Sequence, residues 1–160
     1  MNPIAFVFMI IAIVILVAAA LYFGIGLLTG SNVSAATQDV MTIVGNAQQI
    51  FGVQGDYAGI SGNATSVIPA GMQTSTPLGG TFTVASGSAG LPSSEFEVEM
   101  NGLTLNAKAC EKLIVQVDDI GTTVNGTAVG NVNAAPTGAQ AAAACSGGAT
   151  AVAFQFGNNQ

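Results

Sequence analysis

Residues 4–28 read IAFVFMIIAIVILVAAALYFGIGLL, a run without one charged side chain. No other stretch limits the possible folds as strongly. At about 1.5 Å per helical residue the run reaches roughly 37 Å, enough to cross a hydrocarbon core of roughly 30 Å. In lipid the backbone has to satisfy its own N–H and C=O groups, so an inserted segment of this kind is helical. Pro3 suits the first turn of that helix, where its missing N–H costs nothing. Only Met1-Asn2-Pro3 stands before the run. It lacks the Lys or Arg that orients a membrane helix or opens a secretory signal. We therefore expect a basic leader to have been removed, leaving Met1 as a processed N-terminus.

After Gly30-Ser31 the pattern becomes amphipathic. Val33, Ala36, Val40, Ile43, Val44, Ala47, Ile50 and Phe51 recur at spacings of mostly three and four, with Gln38, Asp39, Thr42, Asn46, Gln48 and Gln49 opposite. The spacing predicts one helix over 3–53, apolar all round in its first half and on one face in its second. Two parts follow: a hydrophobic segment, 1–30, and a head, 31–160, that includes the amphipathic half of the helix. Glycine costs about 1 kcal/mol relative to alanine inside a helix, so Gly24 and Gly26 mark where local unwinding is expected.

The rest of the head reads as a small α+β domain. Residues 55–80 are rich in Gly, Ser, Thr, Ala and Pro and predict a loop. Thr81 to Val84 alternates, and Glu95 to Met100 alternates strictly, with Phe96, Val98 and Met100 toward a core and three glutamates outward. Asn101-Gly102 signals a turn. Residues 106–117 have helical spacing, with Ala107, Cys110, Leu113, Ile114 and Val117 on one face. A short strand over 122–127 is broken at Asn125-Gly126, one or two helical turns fall in 140–145, and 151–156 is a final strand.

Charge excludes several functions. The only basic side chains are Lys108 and Lys112, against eight carboxylates, for a net charge of −6. That is no patch for neutralising phosphates, so direct nucleic-acid binding is not expected. Without histidine or arginine the chain cannot build a Ser–His–Asp triad or an arginine clamp. We expect no enzyme and no cofactor. Glu95, Glu97, Glu99, Glu111, Asp118 and Asp119 offer oxygen ligands, but no Asp-x-Asp-x-Asp-Gly loop accompanies them, and a solvated sheet face accounts for the glutamates. Cys110 and Cys145 form one disulfide or stand as two buried thiols; a bridge would close a loop worth roughly 3–4 kcal/mol. Asn32, Asn63 and Asn125 begin Asn-x-Ser/Thr triplets, a pattern that chance supplies often.

Taken together, the apolar helix with its amphipathic extension, the Gly/Ser/Thr loop, the antiparallel strands and the late cysteine pair resemble the type IV pilins. Thr76-Pro77-Leu78-Gly79-Gly80-Thr81 is similar to the Pro-x-Gly-Gly turn of the type IVb group. Asn101-Gly102-Leu103-Thr104 ahead of Cys110, and Cys145 ahead of residues 151–158, resemble that group's cysteine-bearing helix and final strand. The group includes conjugative thin-pilus, toxin-coregulated and bundle-forming pilins. Two positions depart from the pattern: Ala5 stands where many pilins have glutamate, and Tyr22 where many have proline.

The resemblance implies a non-enzymatic major pilin, exported with a C-terminal disulfide and held in the bacterial inner membrane before assembly. A leader peptidase and the pilus assembly machinery would act on it, with N-methylation of Met1 as the family's usual modification. The product would be a helical homopolymer on the cell surface, serving conjugation, adhesion or aggregation. Ile4, Phe6, Phe8, Ile11, Ile15 and Leu21 would then lie in the filament core. Two further readings stay open: a membrane-anchored adhesive or binding module that never polymerises, and a minor pilin or secretion pseudopilin.

Overall fold

The computed structural model describes residues 3–60, 64–69, 75–86, 91–131 and 134–157, with side chains described at 13–15 and, apart from 64, from 30 onward. The fold is α+β. It divides into two compact units, Met1–Ser31 and Asn32–Gln160.

Helix α1 spans Pro3–Phe51 and is assigned without a break at Gly24 or Gly26. Among the described residues no helix is long and apolar enough to cross a membrane; most side chains of the 4–28 run lie outside them. A 3₁₀ turn, Gly52–Gln54, follows α1 and ends at Gly55, whose left-handed φ of 67° lets its N–H reach the Gly52 carbonyl. Glycine takes that conformation at no steric cost.

The second unit is built on a five-stranded antiparallel sheet. Its strands are β1 (Thr81–Ser86), β2 (Glu95–Leu105), β3 (Gly121–Val124), β4 (Thr127–Val129) and β5 (Ala149–Gly157), in the spatial order β1-β2-β5-β3-β4. β5 therefore sits at the centre, paired with β2 and β3. Alternation sets the faces. Phe82 and Val84, Phe96, Val98 and Met100, Val152, Phe154 and Phe156, and Val124 all point inward. They share one core with Val33, Ala36, Val40, Ile43, Val44 and Ala47 of α1. Burying each large apolar side chain contributes about 1.5–3 kcal/mol.

Ile50, expected on the same helix face, is exposed. The last covered position of α1 is the half-buried Phe51, whose ring lies beside Gly59, and Ile50 sits about 100° round from it. The 55–80 stretch is not wholly irregular. Asp56 Oδ1 accepts from the Ala58 N–H at 2.8 Å, the Tyr57 N–H donates to the Ser93 carbonyl, and a short helix α2 forms over Ala64–Val67. The Tyr57 ring is fully buried, 4.7 Å from that of Phe96, which in turn stacks 5.6 Å from Phe156. Residues 61–63 and 70–74 of this stretch lie outside the described residues.

Asn101-Gly102 is not a turn. β2 runs on to Leu105, with a register shift between Asn101 and Leu105 and Gly102 at φ 74°. Between the pairs Asn101–Ala151 and Leu105–Ala149, β2 advances four residues while β5 advances two, and burial changes parity in that stretch: even positions up to Met100 are inward, then the odd positions Leu103 and Leu105. Nor is 122–127 one broken strand. Asn125 and Gly126 both have positive φ and join β3 to β4 as a two-residue hairpin turn, the geometry that matches strand twist.

Two helices complete the head. α3 spans Ala107–Gln116, capped by Asn106, whose side chain accepts from the Ala109 N–H at 2.9 Å. Its buried face holds Ala109, Cys110, Leu113 and Ile114; Ala107, expected there, is exposed in the first turn. α4 spans Gly138–Ala144 and starts with a capping box between Thr137 and Gln140.

Candidate functional site

Chemistry-bearing side chains are scattered. Among the described residues no group of three or more His, Cys, Asp or Glu is placed to hold a metal ion. The uncovered sheet face instead carries a row of carboxylates. Glu95, Glu97 and Glu99 alternate along β2 and are half-buried rather than fully solvated. The central one, Glu97, faces Gln155 of β5 and Ala85 of β1. Burial raises its pKa, the Gln155 hydrogen bond lowers it, and the Glu99 charge raises it again. Thr83 Oγ1 donates to Glu99 Oε2 at 3.3 Å.

The cysteines, open between a bridge and two thiols on composition alone, are joined. Cys110 of α3 and Cys145, the residue that ends α4, form a disulfide with a Cα–Cα distance of 5.7 Å, and both are fully buried. Helix α3 brings the first in on its apolar face, and the capping box fixes the start of the helix that ends at the second.

The remaining expected site residues belong to α1. Met1 lies outside the described residues, as do the side chains of Ile4, Phe6, Phe8, Ile11 and Leu21. Ile15 is described, and with its neighbours it is informative. Ile13, Val14 and Ile15 are 51%, 61% and 63% exposed. Successive helical residues point about 100° apart, so these three sweep roughly 200° of helix surface. The single chain leaves that whole arc uncovered. In the second half of α1, Met41, Ile50 and, just beyond it, the 90% exposed Val53 add apolar surface. A Cβ placed on Gly45 would meet nothing within 4 Å.

Two residues that the sequence did not single out for these roles are tied into the β3–β4 region. Asn125 bonds across to the start of β5, and the Asn-Gly pair was its only signal. Asp119, between α3 and β3, is 3% exposed. Its nearest signal is Thr122, three residues on, whose Oγ1 donates to Asp119 Oδ2 at 2.7 Å.

Comparison with protein families adds the last observation. A family model described as PilS N terminal matches residues 30–156. That match covers the sheet except for the last residue of β5, both disulfide-linked helices and the amphipathic half of α1. No curated protein matches the chain.

Proposed function

The chain belongs to the PilS N-terminal family, a pilin-related family of structural rather than enzymatic proteins, and from that premise we propose that it is the major subunit of a bacterial type IVb pilus. The observation that carries this reading is the uncovered apolar arc at Ile13, Val14 and Ile15. A helix apolar on all sides is stable only where lipid or other helices surround it. Before assembly the cover is the inner membrane; in the filament it is the same helix of other copies. Ile4, Phe6, Phe8, Ile11, Ile15 and Leu21 form the filament core, and a leader peptidase acts on the subunit before assembly.

Assembly then exchanges lipid for protein. The pilus machinery extracts each subunit, and the 1–30 segments pack along the filament axis. Each copy offers one patch to a different patch of its neighbour, so the contacts repeat as an open helix instead of closing into a ring. With Ala5 in place of an acidic residue and no carboxylate before Asp39, apolar packing has to position the N-terminal segments without a buried ion pair. Gly24 and Gly26, where helix is least favoured, are where α1 yields as it packs. The heads form the outer surface, with the 55–80 stretch and the Cys110–Cys145 region toward partners.

The test is electron microscopy of material sheared from producing cells, with mass spectrometry of its main protein. Long thin filaments made mostly of this chain, with Met1 as the first residue, are the expected result. Protein that stays in the membrane fraction as a monomer would overturn the polymer and favour an anchored binding module. Trace amounts in filaments made of another protein would make it a minor pilin.

A further inference from the structure

Asp119 is the one charged residue among the buried polar groups of the described residues. Thr122 donates to its Oδ2, while Oδ1, equally shut off from water, has no hydrogen-bond partner. An ionised carboxylate accepts through both oxygens, and leaving one buried and unpaired costs far more than burying the neutral acid. No cation compensates. β3, β4, β5 and α4 have no titratable side chain at all. α3 has Lys108, Glu111 and Lys112, and β2 has Glu95, Glu97 and Glu99. The charge that acts on Asp119 is its neighbour Asp118, which repels. Burial is the dominant influence; with that repulsion it outweighs the Thr122 hydroxyl and the amides of Gly121 and Asp119, and the carboxyl is pushed up to about 6.

The position of this group is mechanical. The next residue, Ile120, donates its N–H to the Gln155 carbonyl at 2.9 Å, and Thr122 is paired with both Phe154 and Val129. The carboxyl thus lies where the α3–β3 connection is fastened to the central strand.

We propose that Asp119 is a buried proton site that latches the α3–β3 connection to β5: the protonated acid is held inside, and ionisation draws the 117–120 segment outward to water. The proposal concerns the head alone and stands whether or not the chain polymerises. Its sign follows from the raised pKa. The folded head binds the proton more tightly than the unfolded chain, so the stabilisation is complete below about pH 4 and fades as pH rises through about 6. A shift of this size changes the folding equilibrium roughly a hundredfold.

The experiment follows the side-chain carboxyl carbons of the labelled full chain in detergent micelles by NMR from pH 3 to 8, with Asp119→Asn identifying the resonance. Amide exchange at Ile120, corrected for its intrinsic pH dependence, is measured alongside. The Asp119 carbon is expected to titrate near pH 6, and Ile120 protection to fall by roughly two orders of magnitude over the same range in the wild type but not in Asp119→Asn. Titration complete below pH 5, or Ile120 protection independent of pH in the wild type, would overturn the latch. An equal fall in Asp119→Asn would overturn it too. Should that variant fail to fold, Thr122→Val identifies the resonance by moving it further up, and the wild-type curves still decide.

Discussion

The side chain of Asn125 holds Thr150. Its Oδ1 accepts from the Thr150 N–H at 2.9 Å and the Thr150 hydroxyl at 3.1 Å, and also from the next amide, Ala151, at 3.1 Å. Its Nδ2 donates to the Gly148 carbonyl at 3.3 Å. One turn residue of the hairpin therefore supplies the partners that the first residues of β5 lack.

Asn125→Ala is expected to destabilise the head by about 2–4 kcal/mol. It removes four hydrogen bonds whose exposed partners turn to water instead, and alanine is less tolerant than asparagine of the φ of 50° found there. Asn125→Asp keeps the acceptor and loses only the bond to Gly148, so its loss should be about half as large or less. Denaturant midpoints of the two variants check the order.

Gly80 and Gly45 should respond in opposite directions to the same substitution. A Cβ on Gly80 would run into the Asn101 carbonyl, and its φ of 111° is foreign to L side chains. Gly80→Ala is expected to cost about 2 kcal/mol or more. Gly45 lies in an open helical position, and Gly45→Ala should gain about 0.5–1 kcal/mol. Melting of the detergent-solubilised chain reads both. If Gly45 is also a point of close approach between copies, Gly45→Ala will lower the yield of sheared filaments while raising the melting temperature.

Reduction, or a Cys110→Ser/Cys145→Ser pair, should remove roughly 3–4 kcal/mol through the freed chain entropy of the loop. The partners are 35 residues apart. Both cysteines lie in the shared core, but neither belongs to a strand of the sheet, so circular dichroism should show a lower midpoint with the folded baseline retained.

Glu97→Gln is expected to raise the melting temperature at pH 7 and leave it nearly unchanged at pH 3. The Glu97 carboxyl is raised by burial. A raised acid stabilises the fold while protonated and loses that contribution as pH rises through its folded value. Glutamine mimics the protonated form at every pH. A gain of equal size at both pH values would show that the charge is not responsible.

Local periodicity made α1, β1, α3 and the final strand legible, because each buries one continuous face. What the sequence hid was the effect of pairing. Asn101-Gly102 has turn chemistry, yet Asn101 pairs with both β1 and β5 and β2 absorbs the glycine as an irregularity; only the switch from inward Met100 to inward Leu103 betrays it. Asp118-Asp119 looks like a solvated pair. One of the two is exposed and the other is the most shielded carboxylate described, a difference set by how the connection meets β3. The cysteine pair was legible as two alternatives, and tertiary approach of α3 and the end of α4 selects the bridge.

β5 comes after every other strand in the chain and lies between β2 and β3. A nascent chain released up to Val129 therefore has two hairpins with nothing to join them: β1–β2 on one side and β3–β4 on the other. Isolated hairpins are marginal in water, so synthesis from the N-terminus gives no partly built sheet to rest on. The head closes in one late step, when residues 149–157 slide in as the middle stave. A stop between Val129 and Ala149 leaves two unpaired edges, those of β2 and β3, an open invitation to strands from other molecules.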